Sequence, residues 1–346
     1  MKSPNNWIVG GVLGASALSA FLLLRNSRRK YDLKDKVVLI TGGSRGLGLV
    51  LAREFASQGA RIAICARDIN ELHRARKDLE SQGVEVFDAV CDVRDENDVR
   101  HLIQDVHTRY GRIDILVNNA GVIQAGPLEA QTRNDFENSM AVHFWGPYNM
   151  MKAVLPEMKE RGEGRIVNIA SIGGKVAVPH LAPYCASKFA LVGLSSATQA
   201  ELAKDGVRVT TVCPGLMRTG SHVNALFKGQ NKWEFALFSL MNSSPLSSVS
   251  AEYAARQIVK ATRRGDAGTI ISAQAKLAAK MSELFPELTA EVLALINRIL
   301  PGYGGIGKGY ATGLESKSFI SPSLLTGSLD RASYRNNELK PGEQAA

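Results

Sequence analysis

The amino-acid sequence predicts a single α/β domain built on a doubly wound parallel sheet, and three observations predict it. From Lys36 onward, short β-branched runs alternate with amphipathic stretches, the rhythm of repeated βαβ units. The β-branched runs are apolar on both of their faces, so they need helices on both sides. A glycine-rich turn, "TGGSRGLG" over Thr41–Gly48, lies between the first such run and the first helical pattern, where a parallel sheet binds dinucleotides.

Taken in order, strands are expected at "VVLIT" (37–41), "RIAIC" (61–65), "VEVFDA" (84–89), "DILVN" (114–118), "RIVNIA" (165–170), "VRVTTVC" (207–213) and "TIIS" (269–272). Helical patterns such as "GLVLAREFASQG" and "ELHRARKDLESQG" lie between them, each ending at a glycine able to stop a helix. The catalytic domain is expected over 31–300. Two regions break the rhythm: an aromatic-rich insertion over 221–248, and a late amphipathic stretch, "AKLAAKMSELFPELTAEVLALINRIL", interrupted by Pro286. The tail, 301–346, is rich in Ser, Gly and Asn with few large apolar residues and is expected to be disordered.

With 45% apolar and 22% charged residues in 346, the chain is globular and large enough to bury a core without disulfide staples. Its four cysteines, Cys65, Cys91, Cys185 and Cys213, form no Cys-x-x-Cys pair, which indicates a reducing compartment, and Cys185 is expected to be buried and inert. No metal-ligand spacing occurs, so no metal is expected. The net charge of +9 is spread along the chain except for one cluster behind the apolar opening, which argues against nucleic acid as a partner.

That opening, "WIVGGVLGASALSAFLLL" (Trp7–Leu24), carries no charge and spans roughly 27 Å as a helix. Lys2 puts little positive charge ahead of it, whereas Arg25, Arg28, Arg29 and Lys30 follow. Residues 1–30 are therefore read as a single-pass membrane anchor through residues 7–24, with the catalytic domain facing the cytoplasm. A cleavable signal peptide, suggested by the small residues of "ASALSA", is the alternative, but it needs its charge ahead of the apolar run.

In the glycine turn, Gly42, Gly46 and Gly48 let the backbone approach a diphosphate at a helix N-terminus. The end of the second strand normally faces the adenosine ribose, where an acidic side chain would accept from a free 2′-hydroxyl; here Ala66 and Arg67 occupy the turn. A guanidinium suits a 2′-phosphate, and Arg45 is expected to reach the same group from the glycine turn, so NADP(H) is favoured over NAD(H). Asp68, one position later, leaves dual use open.

The fifth strand runs into Ser171, and "APYCASKFAL" then places Tyr184 and Lys188 four residues apart on one helical face. An unperturbed phenol titrates at about 10, and a partly desolvated ammonium together with the positive nicotinamide ring is expected to lower that value and make Tyr184 a general acid and base. Ser171 would hold the substrate oxygen, and Lys188 would also bind the nicotinamide ribose.

At this point the sequence resembles the short-chain dehydrogenase/reductase family, in register over about Lys36 to Ser272: "TGGSRGLG", "CDV", "NNAG", Ser171, "YCASK" and "PGLMRT". The resemblance implies a Rossmann-like, seven-stranded parallel sheet of order 3-2-1-4-5-6-7. It implies a cofactor bed of Gly42, Ser44, Arg45, Gly46, Leu47, Gly48, Arg67, Asp92, Val93, Asn119, Ala120, Gly121, Tyr184, Lys188, Pro214, Gly215 and Thr219. Within it, Asp92 would meet adenine, Asn119 would brace the fourth strand, and Thr219 would hold the nicotinamide carboxamide. The chain departs from the family pattern at His143, in "VHFWG", where the family has an asparagine that helps relay protons to the lysine. His143 is read as a slowed or altered relay, as a proton carrier in its own right, or as a substitution braced by packing.

The implied activity is hydride transfer between NADPH and a carbonyl or alcohol. The insertion carries Val223, Leu226, Phe227, Trp233, Phe235, Leu237 and Phe238, expected either as an apolar lid over a lipophilic substrate (steroid, retinoid, keto-lipid or long-chain aldehyde) or as core. A homodimer or homotetramer is expected. The rival reading, motivated by His143, is a membrane-tethered NADPH-binding sensor or scaffold with weak catalysis.

Overall fold

The computed structural model describes residues 31–318, 321, 323, 326–340, 342 and 343. Seven strands, β1 (Val37–Thr41), β2 (Arg61–Ala66), β3 (Val86–Val90), β4 (Ile115–Asn118), β5 (Gly164–Ile169), β6 (Val207–Pro214) and β7 (Gly268–Ile271), form one sheet in the order 3-2-1-4-5-6-7, every adjacent pair parallel. This is the Rossmann-like arrangement expected. The chain leaves β3 at one edge and returns to place β4 beside β1, so a crevice opens where the carboxyl ends of β1 and β4 diverge.

The helices of the described residues are α1 (Gly46–Ala56), α2 (Ile69–Ser81), α3 (Glu96–Tyr110), α4 (Arg133–Met140), α5 (Gly146–Arg161), α6 (Ala182–Leu202), α7 (Asn231–Ser243), α8 (Ala251–Arg264), α9 (Ala273–Leu284), α10 (Pro286–Asn297) and α11 (Gly327–Arg335). Alternation along the strands sorts them into layers. Val38, Ile40, Ile62 and Ile64 meet α1, α2 and α8 on one face; Val37, Leu39, Ala63 and Cys65 meet α3, α5 and α6 on the other. All five β1 residues are buried because both faces are covered.

Most strand boundaries shift by a residue or two from expectation, and two of the shifts have local reasons. The Val84 N–H returns to the Leu79 carbonyl (3.2 Å) behind the left-handed Gly83, so Val84 belongs to the exit of α2 and β3 begins at Val86. Ser272 is not the last residue of β7 but the N-cap of α9, its Oγ accepting from the Ala275 N–H at 3.2 Å. Pro286 divides the late amphipathic stretch into α9 and α10, and no residue of α10 is buried.

The insertion folds as a 3-10 turn (Ser221–Asn224), a short strand (Leu226–Phe227) and α7, the strand pairing with Gln124–Ala125 on one side and Ala311–Thr312 on the other. The tail differs most from its expectation of disorder. Where described, it carries α11 and buries Leu329, Ala332, Ser333, Asn336, Glu338 and Leu339. Polar side chains anchor it through hydrogen bonds to backbone groups, a mode of packing that apolar composition does not register. The apolar segment 7–24 lies outside the described residues; among the described residues no helix is long and apolar enough to cross a membrane.

Candidate active site

Strand β1 hands the chain to α1 through a turn that needs glycine for two reasons. Gly42 and Gly46 have left-handed φ values of 62° and 56°, and a Cβ on Gly48 would overlap the Gly42 carbonyl oxygen and stand 2.6 Å from Asn119 Nδ2. Asn119 fastens the end of β4 to this turn: its Nδ2 donates to the carbonyls of Thr41 (3.0 Å) and Gly42 (3.1 Å), while Thr41 Oγ1 accepts from the Asn119 and Ala120 N–H groups, both at 3.0 Å. The result is a rigid cradle at the positive end of α1.

A cleft of about 890 Å³ opens over the cradle, within the range of cofactor and ligand sites. Gly42, Ser44, Arg45, Gly46 and Leu47 form its floor, Arg67 its rim after β2, and Asp92 and Val93 its wall after β3. Asn119, Ala120 and Gly121 follow from β4; Tyr184, Lys188, His143 and Thr219 close the inner end. Gly48, Ser171, Pro214 and Gly215 stand behind this surface and shape it. Gly215 gives its N–H to the Ile271 carbonyl (3.1 Å), and the buried Thr219 donates to Ser221 Oγ at 2.9 Å.

At the adenosine end, Arg67 is exposed at the cleft rim. Asp68 is engaged as the N-cap of α2, its Oδ1 accepting from Asn70 (2.8 Å) and Glu71 (3.0 Å), and the Glu71 N–H in particular holds its carboxyl below the ordinary value. Arg45 lies between two carboxylates, Glu71 at 3.1 Å and Glu338 at 3.5 Å. Asp92 is held by Arg94, whose Nε stands 2.9 Å from each carboxylate oxygen and whose hydrogen bond lowers the Asp92 pKa.

At the inner end, Tyr184 and Lys188 share one face of α6, with Lys188 Nζ 5.7 Å from the phenol ring centroid and donating to the Ile169 carbonyl at 2.9 Å. Ser171 Oγ accepts from the Gly173 N–H (3.0 Å), which fixes the hydroxyl beside the Tyr184 phenol, its hydrogen-bond partner. Burial pushes Tyr184 up to about 12 against the opposing Ser171 hydrogen bond, and burial pushes Lys188 down to about 7. Burial thus outweighs the neighbouring ammonium in the protein alone, and the lowering expected of the phenol also counts on the positive nicotinamide ring. Apolar surroundings disfavour phenolate and ammonium alike, so near neutral pH Tyr184 keeps its proton while Lys188 exchanges its own readily.

His143 is buried in a π-turn, Ala141–Trp145, between α4 and α5. Its Nε2 accepts from the Val122 N–H at 3.1 Å, which assigns the proton to Nδ1, 2.7 Å from Ser187 Oγ; that hydroxyl in turn donates to the Tyr184 carbonyl at 2.8 Å. Burial, and then the charge of Lys188, push the imidazole well below its ordinary value. Both ring nitrogens are hydrogen-bonded, so the imidazole bridges the end of β4 and the first turn of α6, an arrangement that suits the packing-braced reading of His143. Val122 and Ser187 were missed by the sequence reading; Ser187 lies inside the quoted "YCASK", but its partner is 44 positions away.

The insertion's aromatics pack chiefly on one another. Phe227 and Phe235 are buried with ring centroids 5.5 Å apart, Phe238 stands 5.7 Å from Phe227, and Trp233 is exposed; Leu226 reaches the cleft. The core alternative thus describes most of them. Cys185 is buried, and burial raises its thiol pKa.

The short chain dehydrogenase family profile matches residues 36–228. A dehydrogenase/reductase SDR family protein 7-like chain of Anopheles gambiae is 35% identical over 271 residues, covering 76% of this chain and 83% of that one. Among solved structures, L-sorbose reductase of Gluconobacter frateurii, complexed with NADPH and L-sorbose, superposes with a TM-score of 0.62 at 26% identity, covering 69% of this chain and 95% of that one. The F189W actinorhodin polyketide ketoreductase with NADPH also gives 0.62, at 32% identity and coverages of 70% and 97%. With the sheet order, the glycine cradle and the Tyr184–Lys188 face all in register with that match, the chain belongs to the short-chain dehydrogenase family of oxidoreductases.

Proposed function

We propose that the protein is an NADP(H)-dependent reductase of ketones or aldehydes with an apolar body, working through Tyr184, Lys188 and Ser171. The observation that carries this reading is the convergence of the Tyr184 phenol and the Lys188 ammonium at the inner end of a cleft whose floor is the glycine cradle, with the Ser171 hydroxyl fixed behind that surface. The residues present fit a dinucleotide: the backbone of Gly42 and Gly46 at the positive end of α1 suits a diphosphate, Gly48 lets the turn close against Gly42 and Asn119, and Arg67 at the rim is available to a 2′-phosphate. Similar solved structures in complex with NADPH support the same choice.

Bound there, the dinucleotide supplies hydride to the carbonyl carbon. Tyr184 donates its proton to the carbonyl oxygen, for which a phenol held near about 12 is in the protonated form. Ser171 hydrogen-bonds the same oxygen and resists charge build-up on it. Lys188, with a value near about 7, restores the phenol proton from behind and faces the ribose hydroxyls. Ile123, Met217 and Leu226 give the reacting end an apolar wall that suits a lipophilic substrate. Residues 7–24 would tether the domain to a membrane with its bulk on the cytoplasmic side, and a salt- and alkali-resistant membrane fraction is the expected location.

Absorbance of the nicotinamide during turnover of an apolar carbonyl panel tests the reading. Tyr184→Phe should reduce kcat by about 100-fold or more with little change in NADPH affinity. Undiminished turnover in that variant would refute the assignment of the acid.

A further inference from the structure

The tail returns to the glycine cradle and places a carboxylate on it. Helix α11 docks through Ser333 Oγ, which donates to the Gly220 carbonyl at 3.0 Å, and Ser328 Oγ, which donates to the Ser243 carbonyl at 3.0 Å. The next three residues, Asn336, Asn337 and Glu338, are then fastened one by one. Asn336 Nδ2 donates to the Thr219 carbonyl (3.0 Å), and its own carbonyl accepts the Gly46 N–H (2.9 Å), the first N–H of α1. Asn337, in the left-handed conformation at φ 58°, donates to the carbonyls of Ser44 (2.8 Å) and Glu71 (3.0 Å).

Glu338 completes the strap. Its side chain is 2% exposed, its Oε2 accepts from Asn224 Nδ2 at 2.8 Å and pairs with Arg45 Nε at 3.5 Å, and its Oε1 would clash with a Cβ on Gly46. It therefore holds a buried negative group at the positive end of α1, beside the guanidinium that the cofactor reading assigns to a phosphate.

We propose that Glu338 is a built-in competitor of the cofactor's phosphates, and that the 336–338 strap must lift its carboxylate from the cradle before the dinucleotide is fully bound. This rests on the dinucleotide reading of the cleft. Three observations favour competition over a cover that closes on bound cofactor. The strap takes the Gly46 N–H that an anion would use; it neutralises Arg45; and it presents a carboxylate, which repels a diphosphate across a few ångströms of poorly screened space. Glu71 faces the same point from α2 with a second negative charge, so Arg45 is the shared counter-ion, and a phosphate that captures Arg45 also removes the partner of Glu338.

The test is NADPH affinity of the full chain, read by the fluorescence of the bound nicotinamide. Glu338→Gln keeps the size of the side chain and one oxygen to accept from Asn224 while removing the negative charge, and should tighten Kd by about tenfold or more. Ser333→Leu, which presses α11 away from Gly220 without touching the cleft, should shift Kd the same way. NADPH should also speed amide exchange over residues 336–340. Unchanged or weaker binding by Glu338→Gln while the parent binds NADPH, or slower exchange of the strap on binding, overturns the proposal and leaves the reductase reading standing. Failure of both forms to bind any nicotinamide dinucleotide overturns the two together.

Discussion

His143 offers a perturbation whose size follows from its hydrogen bonds. Its Nε2 accepts from Val122 and its Nδ1–H donates to Ser187, so the folded protein holds the neutral ring, and burial beside Lys188 keeps its pKa well below the ordinary 6.5. As pH falls through 6.5, the unfolded chain binds a proton at this position that the folded chain does not. The folded-state pKa is lowered, so the stability His143 contributes is fully present above the unfolded 6.5 and is lost progressively as pH falls from there toward the folded value. The linkage amounts to about 1 kcal/mol between pH 6.5 and 5.5, steepening toward about 1.4 kcal/mol per pH unit below that. His143→Gln reaches both partners, with an oxygen for the Val122 N–H and an amide for Ser187, but does not titrate. Urea unfolding at a series of pH values should show the variant's stability falling more gently than the parent's below pH 6.5, by that difference, with unchanged m-values. Parallel pH curves for the two proteins would refute the neutral-brace account.

Three further outcomes are expected. Arg67→Ala should weaken NADPH binding by about tenfold or more while leaving NADH nearly unaffected, measured as the ratio of dissociation constants, because the guanidinium at the rim is assigned to the 2′-phosphate alone. Gly48→Ala should lower stability by about 2 kcal/mol or more and abolish cofactor binding, read by thermal unfolding with and without NADPH, since its Cβ would collide with backbone and not with a flexible side chain. Lys228→Met should lower stability by about 3–5 kcal/mol in denaturant titration, because the buried Asp135 carboxylate now 2.5 Å from Lys228 Nζ would lose its counter-charge.

How far the site was legible varies with the sequence distance of the contacts that make it. The glycine cradle could be read because strand, turn and helix succeed one another within a few residues, and Tyr184 and Lys188 because four positions on a helix make one face. The cap made by Asp68 was not read from the sequence, although its spacing to Asn70 and Glu71 is that of a helix cap. The insertion's aromatics carried no sign of whether they faced a pocket or one another. His143 meets Val122 and Ser187, 21 and 44 positions away, and no periodicity links them. The strap was hidden more completely: Asn337 reaches Ser44 across 293 positions, and its polar, glycine-flanked surroundings resemble a solvated tail.

By itself, the amino-acid sequence determined the parallel sheet, the order of its chemistry-bearing turns and the pairing of phenol with ammonium, because hydrophobic period and i, i+4 spacing are properties of neighbouring residues. Tertiary structure alone decided the protonation of Tyr184, Lys188 and His143, which depends on how thoroughly distant elements exclude water around them. It also decided that a glutamate at position 338 rests against a glycine at position 46, since a folded chain returns a remote segment to a surface that no local pattern can name.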